Sequence, residues 1–205
     1  MTDQEFSTTE DKASYGIGMQ MGQQFSSAFK GISLAAGLAG FQDAFAGNPP
    51  RIAPDEINAA FQIMQQRIKE EESSNAEQFA AEGIAFLEKN ATRDDVIVTE
   101  SGLQYEVITT GDGASPDAGS TVRTHYRGTL INGTEFDSSY SRNQPTEFPV
   151  NGVIAGWTEA LQLMTVGSKW KLYIPHELAY GERGAGGSIG PYQALIFEIE
   201  LLAIV

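Results

Sequence analysis

Apolar residues recur at two different periods along the chain, and the change falls near its middle. From Thr9, which reads as an N-cap, Tyr15, Met19, Gly22 and Phe25 return every three or four positions; after Ser33, Leu34, Leu38, Phe41 and Phe45 do the same. That spacing places each set on one face of a helix. Gly47-Asn48-Pro49-Pro50 stops the second helix. Gly18 and Gly22 lie one turn apart, so either a second helix approaches closely there or the glycines only weaken a surface helix.

From Pro54 to about Asn90 the only glycine is Gly83, and no proline follows the first. This predicts one helix of roughly 36 residues, about 54 Å long. Ile57, Phe61, Met64 and Ile68 form one apolar stripe and Phe79, Gly83 and Phe86 another, while Glu72 and Asn75 between them are polar. A helix apolar toward both ends and bare between them reads as a stalk that connects two bodies. Two short helices and the start of a stalk bury little by themselves, so their apolar faces call for a partner. Self-association into a homodimer through the N-terminal helices is the economical solution; docking on the second half is the alternative.

After Arg93-Asp94-Asp95 the period becomes two. Leu103, Tyr105 and Val107 alternate with polar residues, as do Val122, Thr124, Tyr126, Gly128 and Leu130, then Trp170, Leu172 and Ile174, then Leu195, Phe197, Ile199 and Leu201. A helix signal, Trp157, Leu161 and Met164, interrupts these strands. The predicted fold class is α+β: an N-terminal all-helical dimerisation domain over 1–53, a long connecting helix over 54–93, and over 94–205 an antiparallel half-barrel sheet with one packed helix.

Composition narrows the function. The chain has 205 residues, 41% hydrophobic and 20% charged, the balance of a globular protein. Net charge is −14, with 7 basic and 15 acidic residues up to Asp95 and 6 and 12 after it. Neither half is a basic tail, so no nucleic-acid groove is expected, because phosphate binding needs clustered Lys and Arg. The absence of cysteine excludes disulfide and thiol chemistry. Met1 to Phe6 lack the basic stretch and apolar run of a signal peptide, and no apolar segment approaches the roughly 18 residues of a membrane span. The expectation is a cytoplasmic protein that does not enter a membrane.

Candidate chemistry is sparse. His125 shares a polar strand face with Arg123 and Arg127 and reads as solvated; His176 follows Pro175 with no paired carboxylate or serine. Glu135 and Asp137 would share a face of an extended strand, but nothing supplies a sugar cleft for two carboxylates. Asp112 to Asp117 lacks the calcium-loop pattern and reads as a turn. Gly184 to Gly190 precedes a strand that ends the chain rather than opening a helix, so it is no phosphate loop; it is a flap beside a pocket or a long surface loop. No cofactor and no metal site are expected. What remains is aromatic: the hairpin signal Asn132-Gly133 delivers Phe136 and Asp137 side by side, near Tyr126, Phe148, Trp157 and Tyr180. Such residues make either a core or an apolar pocket that holds one carboxylate.

Three segments carry a resemblance: THYRGTLINGTEFDSS from Thr124 to Ser139, VIAGWTEALQLMTV from Val153 to Val166, and Ala179 to Gly181 with LIFEIELL near the end. Together they resemble the FKBP family, the macrolide-binding peptidyl-prolyl isomerases. SYGIG at Ser14 to Gly18 and the long helix are similar to the bacterial branch related to the macrophage infectivity potentiator. The resemblance implies catalytic roles for Phe136, Asp137 and Tyr180. It implies substrate binding by Tyr126, Arg142, Val153, Ile154, Trp157, Ala179, Ile189 and Phe197. It also implies unfolded or partly folded proline-containing client proteins, macrolide inhibitors, and a homodimer made by the N-terminal domain. Thr146, Ala185, Ser188 and Gly190 depart from the familiar small member, which has an aromatic, a histidine, an isoleucine and a proline there. A binding module that holds proline-containing segments without turning them over is the alternative use of the same pocket.

Overall fold

Capping starts the first helix one residue earlier than the periodicity predicts. Thr8 Oγ1 accepts the Asp11 N–H at 3.0 Å, and the Asp11 carboxylate accepts the Thr8 N–H at 3.2 Å. Thr9 cannot form this reciprocal box, because Lys12 stands where its carboxylate would have to be. Helix α1 therefore runs Thr9–Ala28 with Thr8 as its cap. Helix α2, Leu34–Ala46, is capped by Ser33 as predicted and ends at Gly47; α3 runs Pro54–Asn90. The computed structural model describes residues 6–205. Residues 1–5, on which most of the leader reading rests, lie outside the described residues.

The chain divides into two compact units, up to Glu72 and from Ser73, and the division falls inside α3. In the first unit no residue of α1 or α2 is buried, and Phe45 is 86% exposed. An apolar groove of about 190 Å³ lies between these helices, lined by Gly18, Met21, Gly22, Phe25, Leu34, Gly37, Leu38 and Phe41. Gly18 and Gly22 line this groove without touching another described helix. Phe29 stacks on Phe61 of α3 at 6.0 Å, and Lys30 pairs with Glu71.

The second unit is an antiparallel sheet of seven strands: β1 Ile97–Val98, β2 Gln104–Thr109, β3 Thr121–Leu130, β4 Glu135–Ser138, β5 Thr146–Pro149, β6 Lys169–Ile174 and β7 Leu195–Ile204. Their order is β1-β2-β6-β7-β3-β4, with β5 also pairing with β3. Alternation on β3 and β7 is regular: every second residue, from Val122 to Leu130 and from Leu195 to Leu201, is buried. This is the strand period of the sequence made physical, one face to the core and one to solvent. Helix α4, Ala155–Leu163, covers the inner face with Trp157, Ala160 and Leu161, joined by Met164 just past its end.

The C-terminal half of α3 belongs to this unit. Asn90 donates to Gln104 Oε1 at 2.9 Å, Gln104 donates back to the Leu87 carbonyl at 3.0 Å, and Phe86 packs on Tyr173 at 6.0 Å. Arg93, just beyond the helix, reaches Tyr173 Oη at 2.9 Å and Glu106 at 2.5 Å. No helix among the described residues is long and apolar enough to cross a membrane.

Candidate active site

The site is built on a break in strand register. β3 and β4 pair Arg127 with Ser138, Gly128 with Asp137, and then Thr129 with Glu135, so Phe136 is an extra residue. A bulge of this kind re-aims side chains. Phe136 and Asp137 consequently both face one cavity, although neighbours on a regular strand would point apart. Glu135 goes elsewhere, to Arg127 at 2.7 Å and Ser141 at 3.0 Å. The expected shared face of Glu135 and Asp137 does not form, and no carboxylate pair results.

Gly128 explains how close the walls come. A Cβ there would lie 2.6 Å from the Phe136 ring and 2.7 Å from the Phe197 ring. Without it the two rings meet edge to face at 5.5 Å. Trp157 forms the base and is 4% exposed. Its ring meets Tyr126 at 5.3 Å, Phe148 at 5.6 Å and Phe197 at 5.2 Å, each nearly perpendicular, the arrangement that opposed ring quadrupoles favour. The cavity has a volume of about 380 Å³, and Gly152, Val153, Ile154 and Tyr180 complete its lining. The Trp157 indole N–H is buried with no partner among the described residues.

One edge is polar. Tyr126 Oη donates to Asp137 Oδ2 at 2.5 Å and accepts from Arg142 Nη2 at 2.8 Å, while Arg142 Nη1 donates to Asp137 Oδ1. The guanidinium also lies 5.7 Å from the centre of the Tyr126 ring. Burial pushes the Asp137 carboxyl up, but the hydrogen bonds from Tyr126 and Arg142 outweigh it and hold the group below the ordinary aspartate value. Burial and then the charge of Asp137 raise the Tyr180 phenol; burial and the bond to Asp137 raise that of Tyr126. At neutral pH the site therefore holds one carboxylate and two neutral phenols.

A depressed carboxylate contributes stability above its unfolded pKa and loses it as pH falls through the folded value. Activity should be flat from about pH 5 to about pH 9 and decline only on the acid side, below the usual aspartate range. A pH–rate profile with a bell inside that window would sink this description.

Of the residues expected at the site, Tyr126, Phe136, Asp137, Val153, Ile154, Trp157, Tyr180 and Phe197 line the cavity. Arg142 reaches it through Asp137 and Tyr126. Ala179 and Ile189 do not line it: Ala179 packs on the core beside Tyr180, and Ile189 is buried within the core itself. Gly152, which was not expected, also lines it, and so does Phe148, which the sequence groups with the aromatic residues without a binding role. Thr146 and Phe148 share a face of β5, opposite Thr124 and Val122 of β3. That alternation was the available signal for Phe148, which supplies a ring two residues beyond the departure at Thr146.

Both histidines differ from expectation. His125 is half-buried, stacks on Tyr140 at 4.8 Å, and lies 2.9 Å from Ser139 Oγ through Nδ1, so a serine does accompany a histidine. Ser139 is fully buried and its hydroxyl is tied to both the N–H and the carbonyl of Tyr126, which makes it structural. His176 pairs with the adjacent Glu177 at 3.2 Å and packs on Tyr192. The segment from Asp112 to Asp117 is irregular chain leading into a turn, where Asp117 accepts from Gly119 and Ser120. The glycine-rich stretch closes as a hairpin through a bridge between Ala185 and Ile189.

Residues 113–202 match the family described as FKBP-type peptidyl-prolyl cis-trans isomerase, and residues 10–107 match the domain amino terminal to FKBP-type peptidyl-prolyl isomerase. The chain belongs to the FKBP-type peptidyl-prolyl cis-trans isomerases. It is 52% identical to the FKBP-type 22 kDa peptidyl-prolyl cis-trans isomerase of Escherichia coli strain K12, over 100% of both chains. It is 40% identical to the outer membrane protein MIP of Legionella longbeachae, over 96% of this chain and 86% of that one. The crystal structure of FkpA from Escherichia coli superposes with a TM-score of 0.71 at 38% identity, covering 97% of this chain and 98% of that one.

For an FKBP-type isomerase an aromatic cavity suffices. Rotation about an X-Pro bond breaks no covalent bond; it passes a twisted amide that has lost its resonance, at about 18–20 kcal/mol. Uncatalysed exchange takes tens to hundreds of seconds. The planar amide is more charge-separated than the twisted one, so exchanging water for apolar walls favours the transition state over the ground state.

Proposed function

We propose that isomerisation takes place in the cavity above Trp157, with the proline ring on the indole and Phe136, Phe197, Tyr126 and Phe148 as its walls. The observation that carries this reading is a single fixed carboxylate at the edge of a chamber walled by aromatic and aliphatic residues. Tyr180, 40% exposed and neutral, donates to a substrate carbonyl. Asp137, anchored by Tyr126 and Arg142, faces the rotating carbonyl group. Macrolides of the kind that bind this family occupy the same chamber.

The helical unit makes the homodimer in this reading. Support comes from α1 and α2, which bury no residue of their own, and from the match of residues 10–107 to the amino-terminal domain family. The clients are proteins whose folding waits on X-Pro bonds.

Tyr180→Phe and Asp137→Ala should each lower kcat/KM about tenfold, about 1.4 kcal/mol of transition-state stabilisation, with the fold intact. A protease-coupled assay on X-Pro tetrapeptides measures the loss, and circular dichroism checks the fold. Wild-type activity in both variants would reject these roles.

A further inference from the structure

Beyond the cavity, the C-terminal half of α3 meets the segment that carries the flap. Phe79 is half-buried, with its ring where a side chain on Gly190 would stand: a Cβ there would come 2.9 Å from ring carbon Cε2 and 3.2 Å from Cδ2. Gly190 has no left-handed backbone, so its missing side chain answers to Phe79 rather than to a turn. One turn along the helix, Gly83 is buried against Ala194; a Cβ on Gly83 would lie 3.3 Å from that of Ala194.

Between these two contacts the chain is tied to both sides of the site. Toward the flap, Gly190 N–H donates to Gln193 Oε1 at 2.7 Å, and Ala185 and Ile189 exchange backbone bonds of 2.8 and 3.0 Å. Toward the phenol, Tyr192 N–H donates at 2.9 Å to the carbonyl of Gly181, the neighbour of Tyr180. Tyr192 itself sits at φ 57°, a conformation a bulky side chain rarely adopts. A residue held there persists only where its surroundings over-determine it. Its surroundings include the His176 ring at 5.1 Å and the face of α3 across Gly83.

We propose that Phe79 is a positioning residue for isomerisation: its ring, seated over Gly190, fixes the hairpin of Ala185 and Ile189 and, through the Tyr192–Gly181 bond, the placement of Tyr180. The proposal rests on the reading of Tyr180 as the donor. The last turns of α3 are then part of the support of the active site, and the helix does more than connect two units.

Hydrogen exchange and steady-state kinetics on the full chain test it. Phe79→Ala should speed exchange of the Ala185 and Ile189 amides about tenfold while the amides of Leu172 and Ile199 keep their protection. In the same variant kcat should fall about fivefold with KM little changed, because the donor is misplaced rather than the pocket lost. Gly190→Ala alone should push the ring aside and cost about threefold. The double variant should be no worse than Phe79→Ala, since the new methyl enters the vacated space, and that non-additivity would mark the contact. Ile84→Ala, on the same helix but 55% exposed, should change neither readout. Unchanged flap exchange in Phe79→Ala, faster exchange with wild-type kcat, or additive losses in the double variant would each overturn the proposal. Failure of the donor reading shows separately, as wild-type activity in Tyr180→Phe, because flap exchange does not depend on the phenol.

Discussion

Trp157→Ala should destabilise the sheet unit by about 3–5 kcal/mol and abolish isomerisation. The indole is almost fully buried and is the shared partner of three perpendicular ring contacts, with Tyr126, Phe148 and Phe197. Each such contact is worth about 0.5–1.5 kcal/mol beyond the area it buries. Collapse cannot offset the loss, because the base of the cavity belongs to α4 above and the sheet below, and both are fixed by the core. The void would open into the existing cavity and admit water to the place where the amide must shed it. Trp157→Phe separates packing from catalysis: it keeps an apolar base but removes the unpartnered indole N–H. Urea midpoints and kcat/KM measured side by side give the two answers. A Trp157→Ala protein within about 1 kcal/mol of wild type would contradict the packing described here.

Removing the helical unit should leave catalysis on short peptides within about twofold while abolishing dimerisation and most of the acceleration of protein refolding. Helices α1 and α2 present Tyr15, Ile17, Met19, Leu34, Leu38, Phe41 and Phe45 to solvent and bury none of them. A single copy of such a unit has too little core to hold those faces in water. In the proposed homodimer, pairing two copies would cover them and join two catalytic units, and a client held by one would have a raised effective concentration at the other. Tetrapeptides are too short to register that gain. The fragment should begin at Ser73, because a cut at Asp95 would also remove Phe86 and Asn90 from the sheet they pack on. A fragment from Asp95 should therefore unfold at lower denaturant than one from Ser73. Sedimentation of the full chain as a monomer at micromolar concentration would reject the dimer, and refolding assistance by the Ser73 fragment equal to that of the full chain would reject the division of labour.

Long periodic elements were the most legible part of the sequence. β3 alternates over its ten residues and β7 from Leu195 to Leu201, and α3 runs from Pro54 to Asn90 with no internal proline and one glycine, so one face or one stripe declares itself. Local chemistry that depends on a neighbour three positions away was less so: Thr8 and Thr9 are both threonines, and only the carboxylate of Asp11 decides between them. Most of the cavity lining could be read, because Tyr126, Trp157 and Phe197 fall on core-facing positions and the FKBP resemblance supplied their neighbours. The bulge left no mark in residue types. A one-residue slip in pairing changes the direction of every side chain beyond it, and for that reason Glu135 and Asp137 were expected on one face. The second stripe of α3 was visible as Phe79, Gly83 and Phe86, but its covering surface comes from residues more than a hundred positions away in Gly190 and Ala194.

That slip also limits how the chain can vary over evolution. Extra residues near Asn132-Gly133 would lengthen a hairpin tip in solvent and leave the chamber as it is. Loss of one residue between Glu135 and Ser138 would restore regular pairing only by deleting Phe136 or Asp137 itself. Either outcome removes a wall or the carboxylate of the site. Homologues that keep the activity are therefore expected to tolerate many substitutions in β4 before they tolerate a single deletion, so that this strand is inherited by its length more strictly than by its letters.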